Sequence, residues 1–129
     1  MTHRHSDLIY VKKAGKKGRG VYACNSIRKG TTIEKVPVVI FPVQEIYTDA
    51  VSTQLADYVF NWGNGEVAIA LGYGSLYNHS YRPNASYLAK GRRTQVYVAL
   101  RDIEPDEEIT VNYNGNSTDS ANLWFETVR

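Results

Sequence analysis

Ser75-Leu76-Tyr77-Asn78-His79-Ser80-Tyr81-Arg82-Pro83-Asn84 is the stretch on which the reading of this chain turns. It sets an Asn-His pair and a hydroxyl just ahead of a Pro-Asn turn. Upstream lies Gly18-Arg19-Gly20-Val21, a glycine turn feeding a β-branched residue. Downstream lies Glu108-Ile109-Thr110-Val111-Asn112-Tyr113, a strand that ends on a tyrosine. Between and around these landmarks run short β-like segments: residues 8–11, 20–23, 32–41, 66–70, 86–88, 95–100 and 108–111. They are rich in Val, Ile, Tyr and Thr and separated by Gly, Pro, Asn and Asp. Gln95 to Leu100 alternates polar and apolar, which predicts a strand with one buried face. Residues 46–62 are the one stretch with helical spacing: Leu55, Val59 and Trp62 share a face, with Ser52 or Thr53 near the cap.

In order and over residues 8–114, the three landmarks resemble the motifs of the SET-domain family. Its usual forms are GxG, then [RS]-[FL]-x-N-H-S-x-x-P-N, then E-[LI]-x-x-x-Y. Members transfer a methyl group from S-adenosylmethionine to a protein lysine. The resemblance implies a mostly β, β-clip-like SET fold of short antiparallel sheets with little helix. It also implies a C-terminal pseudoknot, in which the last strand threads beneath a loop and brings Asn78 beside Tyr113. Residues 1–7 then form an N-terminal extension, 8–114 the SET domain, and 115–129 a tail completing the cofactor and lysine pocket.

A chain of 129 residues suits one domain. Hydrophobic residues at 43% and charged residues at 22% fit a folded, soluble globule. No apolar run approaches the roughly 20 residues that span a bilayer, and residues 1–17 lack the apolar stretch of a signal peptide. The expected location is cytoplasmic. Cys24 is the only cysteine, expected as a small core residue, so neither an intrachain disulfide nor a thiolate zinc cluster can form. The chain thus resembles a minimal form of the family, without the cysteine-rich zinc segment that many members carry after the final tyrosine.

The net charge of +2 announces no partner, but its distribution is uneven. Lys12, Lys13, Lys16, Lys17 and Arg19 cluster early, as either a solvated loop or a nucleic-acid contact. Asp102, Glu104, Asp106, Glu107 and Glu108 cluster late, and an acidic rim bordering a substrate groove would attract a basic peptide. The chain also carries a quasi-repeat. Residues 23–33 align with 99–109, so that Ala23, Ile27, Gly30 and Ile33 match Ala99, Ile103, Asp106 and Ile109. Two similar strand–turn–strand units, each plugging the core with an isoleucine, explain it more simply than a duplicated site.

The glycines of Gly18-Arg19-Gly20 allow close approach of a ligand, although a lone GxG is commonly a hairpin turn. The resemblance assigns Lys17, Arg19 and Gly20 to the methionine end of the cofactor. His79 without clustered Cys or Asp cannot hold zinc, so no metal site is expected. By its residues alone, it is as well read as a buried histidine with main-chain partners. The resemblance implies instead that Asn78 and His79 line the cofactor, with Pro83 and Asn84 fixing their turn.

Tyr113 is one of ten tyrosines and by composition an ordinary core residue. The resemblance makes it the active-site tyrosine, in contact with the cofactor's reacting methyl. Tyr87 lies on the strand leaving the N-H-S loop. There it is either an exposed strand tyrosine or, by resemblance to monomethylating members, a wall of the lysine channel. One departure is visible. Ile33 to Val39, where many members place a second active-site tyrosine, has no aromatic; Tyr47, Tyr58, Tyr73 and Tyr77 are the candidates to replace it. Trp124 is expected to fold over the adenine, with Glu126 near its amino group, unless the apolar end caps the core or joins a dimer interface.

These readings converge on a protein-lysine N-methyltransferase using S-adenosylmethionine, monomeric or homodimeric. Its substrate would be a basic protein, histone-like or ribosomal, with neither membrane nor direct nucleic-acid contact. The alternatives are a non-catalytic SET-like module that grips a basic peptide, and a small basic β protein that binds nucleic acid.

Overall fold

Runs of β-branched and aromatic residues, broken every few positions by Gly, Pro, Asn or Asp, make strands too short for one large sheet. In the computed structural model, which describes residues 3–48, 51–52 and 54–113, they assort into small sheets. The strands are β1 (Ile9–Lys13), β2 (Arg19–Ala23), β3 (Thr32–Pro42), β4 (Tyr47–Thr48), β5 (Val51–Ser52) and β6 (Val59–Gly63). There follow β7 (Glu66–Ala70), β8 (Asn78–His79), β9 (Ala85–Ala89), β10 (Thr94–Ala99) and β11 (Glu108–Val111). One sheet runs β1-β2-β11-β8, a second β6-β7-β3-β10-β9, and β4-β5 form a ribbon. Pairing is antiparallel throughout except between β11 and β8. Among the described residues the helical elements are 3-10 turns at Gly15–Lys17, Val43–Glu45 and Gln54–Tyr58. The architecture is mostly β with little helix, as the motifs imply.

The main core gathers Val21, Ala23, Ile27, Ile33, Tyr77, Tyr97, Ile103, Ile109 and Val111. A smaller cluster of Ile46, Ala56, Val59 and Val67 lies under the 43–67 segment. The quasi-repeat closes on itself at the centre of the main core. The Ile27 amide donates to the Ile103 carbonyl at 2.9 Å, and the Ile103 amide returns the bond at 2.7 Å. Gly30 donates to Ala99 at 2.8 Å, and its counterpart Asp106 donates to Ala23 at 2.7 Å. Both turn residues have positive φ, 86° at Gly30 and 64° at Asp106. Two equal turns therefore clasp each other, a structural use of the repeat.

Several expectations need correction. The described residues of 46–62 form no α-helix: a 3-10 turn at Gln54–Tyr58 leads directly into β6, which pairs with β7. Leu55 is 50% exposed, so it shares no buried face with Val59. The turn Gly63-Asn64-Gly65 closes a hairpin there, and its Asn-Gly pair is a stronger local signal than the spacing of three apolar residues. β10 is buried on both faces from Thr94 to Tyr97: Tyr97 enters the main core with Gln95 bonded to its hydroxyl, and on the opposite face Thr94 meets His3. Cys24 is only half-buried, just past the end of β2.

Four of the five residues of the acidic run are engaged internally. Asp102 accepts from the Lys29 amide, Asp106 from the Tyr10 hydroxyl, Glu107 from Arg101 and Asn84, and Glu108 from Asn78. These carboxylates fix turns and strands. A substrate rim is not needed to explain them.

Candidate active site

The site follows from where β11 lies. Wedged between β2 and β8, it pairs Ile109 with Val21 on one side and Thr110 with Asn78 on the other. All three sequence landmarks thereby enter one sheet. The Pro83-Asn84 turn locks the arrangement. Asn84 Nδ2 donates to the Glu108 carbonyl at 2.8 Å, and its Oδ1 accepts from the Thr110 amide at 2.9 Å. One side-chain amide thus satisfies a donor and an acceptor of β11, as buried backbone requires.

Asn78 is 4% exposed. Its Nδ2 donates to Glu108 Oε2 at 2.7 Å and to the Arg19 carbonyl at 3.1 Å, stitching the first, second and third landmarks together. Gly20 is what permits this: a Cβ there would stand 2.6 Å from Glu108 Oε2 and 2.9 Å from Asn78 Nδ2. The glycine serves close packing of protein on protein.

Beside this junction opens a cavity of about 360 Å³ walled by Lys13, Gly18, Arg19, Tyr58, Ser75, Leu76, Asn78 and Tyr113. Tyr113 is held at three points. Its hydroxyl donates to the Tyr77 carbonyl at 2.6 Å, its amide donates to His79 Nδ1 at 3.0 Å, and its carbonyl accepts from the Tyr87 hydroxyl at 3.1 Å. With Nδ1 accepting, the proton of the neutral His79 ring sits on Nε2. The ring also packs edge-on against Tyr81, with centroids 4.4 Å apart. A phenol whose single proton goes to Tyr77 acts as an acceptor toward any other group. Tyr87 lines a second, wider hollow with Asn61, Trp62 and Arg92. Burial pushes the Tyr87 phenol up to about 12, which keeps it a neutral donor.

Arg19, Asn78 and Tyr113 therefore line the cavity, whereas Gly20 and His79 are not among its lining residues. Lys17 is placed by its backbone in the 3-10 turn preceding Gly18. Trp124 and Glu126, with the rest of 114–129, lie outside the described residues. Of the candidates for the missing tyrosine, Tyr58 shares the cavity with Tyr113. Tyr77 turns to Glu34, Tyr73 packs against His5, and Tyr47 joins the smaller cluster. Lys13, Ser75 and Leu76 line the cavity too, although the sequence assigns none of them to a cofactor. Ser75 and Leu76 belong to the central motif itself, and Lys13 ends the strand that pairs with Arg19.

The donor set suits a zwitterionic amino-acid ligand bearing a cationic centre. Lys13 and Arg19 offer positive charge for a carboxylate, and the faces of Tyr58 and Tyr113 suit a sulfonium or an aromatic base. The volume falls in the range of small-molecule sites, about 300–1,000 Å³.

The SET domain family model matches residues 18–114. Over 119 residues the chain is 34% identical to a Schizosaccharomyces pombe protein named a histone-lysine N-methyltransferase specific for H3 lysine-37, covering 92% of this chain and 77% of that one. In fold it is similar to a Plasmodium falciparum crystal structure assigned as a histone methyltransferase. The TM-score is 0.68 at 30% identity, covering 85% of this chain and 94% of that one.

Proposed function

The chain belongs to the SET-domain family and is a protein-lysine methyltransferase, and we propose that it carries a methyl group from S-adenosylmethionine to a lysine side chain of a basic, histone-like or ribosomal protein. The observation that carries this reading is Tyr113, which lines one cavity with Lys13, Arg19 and Asn78 while its hydroxyl is fixed on the Tyr77 carbonyl. Bound there, the sulfonium cofactor supplies an electrophilic methyl that needs no further activation. Lys13 and Arg19 attract its carboxylate, and Asn78 and the backbone around Gly18 fix its amino-acid end. Lys17, Gly20 and His79 act by shaping that wall. Trp124 and Glu126 close over the adenine.

The lysine enters from the hollow beside Tyr87. A free lysine has a pKa of about 10.4, and burial among Tyr58, Tyr87 and Tyr113 beside a cationic cofactor favours the neutral amine. Tyr113 accepts a hydrogen bond from that amine and aligns its lone pair with the methyl for in-line transfer. Tyr87 narrows the channel and limits the product to monomethyl-lysine. Among the described residues no helix is long and apolar enough to cross a membrane, and a cytoplasmic setting is part of the proposal. Calorimetry with S-adenosylhomocysteine, followed by mass spectrometry of a basic protein incubated with S-adenosylmethionine, tests it. Absence of both binding and a methylated lysine overturns it.

A further inference from the structure

Beneath the cavity lies a buried polar cluster that the chemistry above does not use. Glu34, on β3, is 5% exposed. Its Oε1 accepts from the Tyr77 hydroxyl at 2.8 Å and its Oε2 from the Tyr73 amide at 2.9 Å. A Cβ on Gly72 would stand 2.7 Å from Oε2, so the carboxylate lies hard against the chain. Tyr77 is 1% exposed and stacks on Tyr97, with centroids 4.4 Å apart. The Tyr97 hydroxyl donates to the Gly74 carbonyl at 2.6 Å and accepts from Gln95 Nε2 at 2.7 Å. Residues 73–77 are thus clamped from below at Tyr73, Gly74 and Tyr77. That same segment presents Ser75 and Leu76 to the cavity and the Tyr77 carbonyl to Tyr113.

Burying a carboxylate opposes folding, and an apolar side chain would fill this place at less cost. What the carboxylate adds is direction. Its two oxygens fix two donors that an apolar group leaves unheld. Resting on the methyl-transfer reading, we propose that Glu34 is a positioning residue for Tyr113. By holding Tyr77 and Tyr73, it sets the carbonyl that receives the Tyr113 proton, and hence the direction in which the phenol oxygen meets the incoming amine.

Glu34→Gln preserves side-chain volume. Its amide oxygen must face the Tyr73 N–H, which sets the NH₂ against the Tyr77 hydroxyl and turns that phenol from donor to acceptor. In 3-fluorotyrosine-labelled protein without cofactor, the substitution should shift the Tyr113 fluorine resonance, assigned by its loss in Tyr113→Phe. Turnover should fall about tenfold, as for a small misplacement of a reacting group, with S-adenosylhomocysteine affinity unchanged. Tyr77→Phe should lose the same factor, and the double variant no more. An unmoved resonance, losses that multiply in the double variant, or weakening of affinity in step with turnover each overturn the inference. A parent protein that neither binds S-adenosylhomocysteine nor methylates lysine sinks the functional reading alone, because the fluorine shift still decides whether Glu34 sets Tyr113.

Discussion

The Tyr87 hydroxyl donates to the main-chain carbonyl of Tyr113 at 3.1 Å, so the Tyr87 side chain is tied to the Tyr113 backbone. Tyr87 can therefore influence the reaction in two ways: by filling the lysine channel and by steadying the strand end that carries Tyr113.

Tyr113→Phe deletes the acceptor oxygen and the bond to Tyr77 but keeps the ring that walls the cavity. Cofactor-product affinity should persist, while methyl transfer falls by about 10²–10³-fold, the usual cost of losing one preorganised polar group. Calorimetry and product mass spectrometry separate the two effects. Undiminished turnover removes Tyr113 from the mechanism.

Tyr87→Phe should carry the product beyond monomethyl-lysine, read by mass spectrometry of the modified peptide. The pH dependence of stability gives an independent check. Folding raises this phenol from 10.0 to about 12. Its favourable contribution is complete below pH 10 and is lost as pH climbs through about 12. The variant should lack that alkaline loss in denaturant melts, relative to the parent.

Asn78→Ala should abolish cofactor binding, and it should also lower thermal stability. The substitution removes two hydrogen bonds and leaves the Glu108 carboxylate without this donor. The expected loss is about 1–3 kcal/mol, with the circular dichroism spectrum retained. Tight binding by the variant would make the motif purely structural.

Gly20→Ala places a methyl 2.6 Å from Glu108 Oε2. The clash should separate Glu108 from Asn78, lowering the melting temperature and weakening cofactor binding together. Binding that survives unchanged would show that the Asn78 wall does not shape the pocket.

Truncation after Gly115 tests the tail, including Trp124 and Glu126. Loss of cofactor affinity and turnover with little loss of thermal stability fits a lid. Unfolding, or loss of a dimer alone, does not.

The strands that pair side by side were legible because their Val, Ile, Thr and Tyr runs and their turn residues agree locally. Glu66–Ala70 and Glu108–Val111 stand where the sequence puts them. What escaped was decided at long range. β8 is only two residues and becomes a strand because β11 arrives beside it. Gln95 reads as an outward polar residue, yet it is buried in a strand flanked by Val36 of β3 and Ala89 of β9. Glu34 gave no local sign of its role, since its partners Tyr73 and Tyr77 are far along the chain. The motifs carried the family, but the cavity wall at Lys13 and Tyr58 emerges only when β1 and the 54–58 turn are brought to it.

The mutual clasp of Ile27 and Ile103 has a consequence for the order in which the molecule is made. During synthesis, residues 23–33 leave the ribosome long before 99–109 exist. Until then, the amides of Ile27 and Gly30 lack the carbonyls that receive them, and the core around Ile27 and Ile33 lacks Ala99, Ile103 and Ile109. An N-terminal fragment cannot mature piecemeal. Each of the two main sheets has to wait for a late strand, β11 in one and β10 in the other, which makes folding a late, non-local event. Nascent chains halted between Ala70 and Thr94 should therefore be ready clients for chaperones.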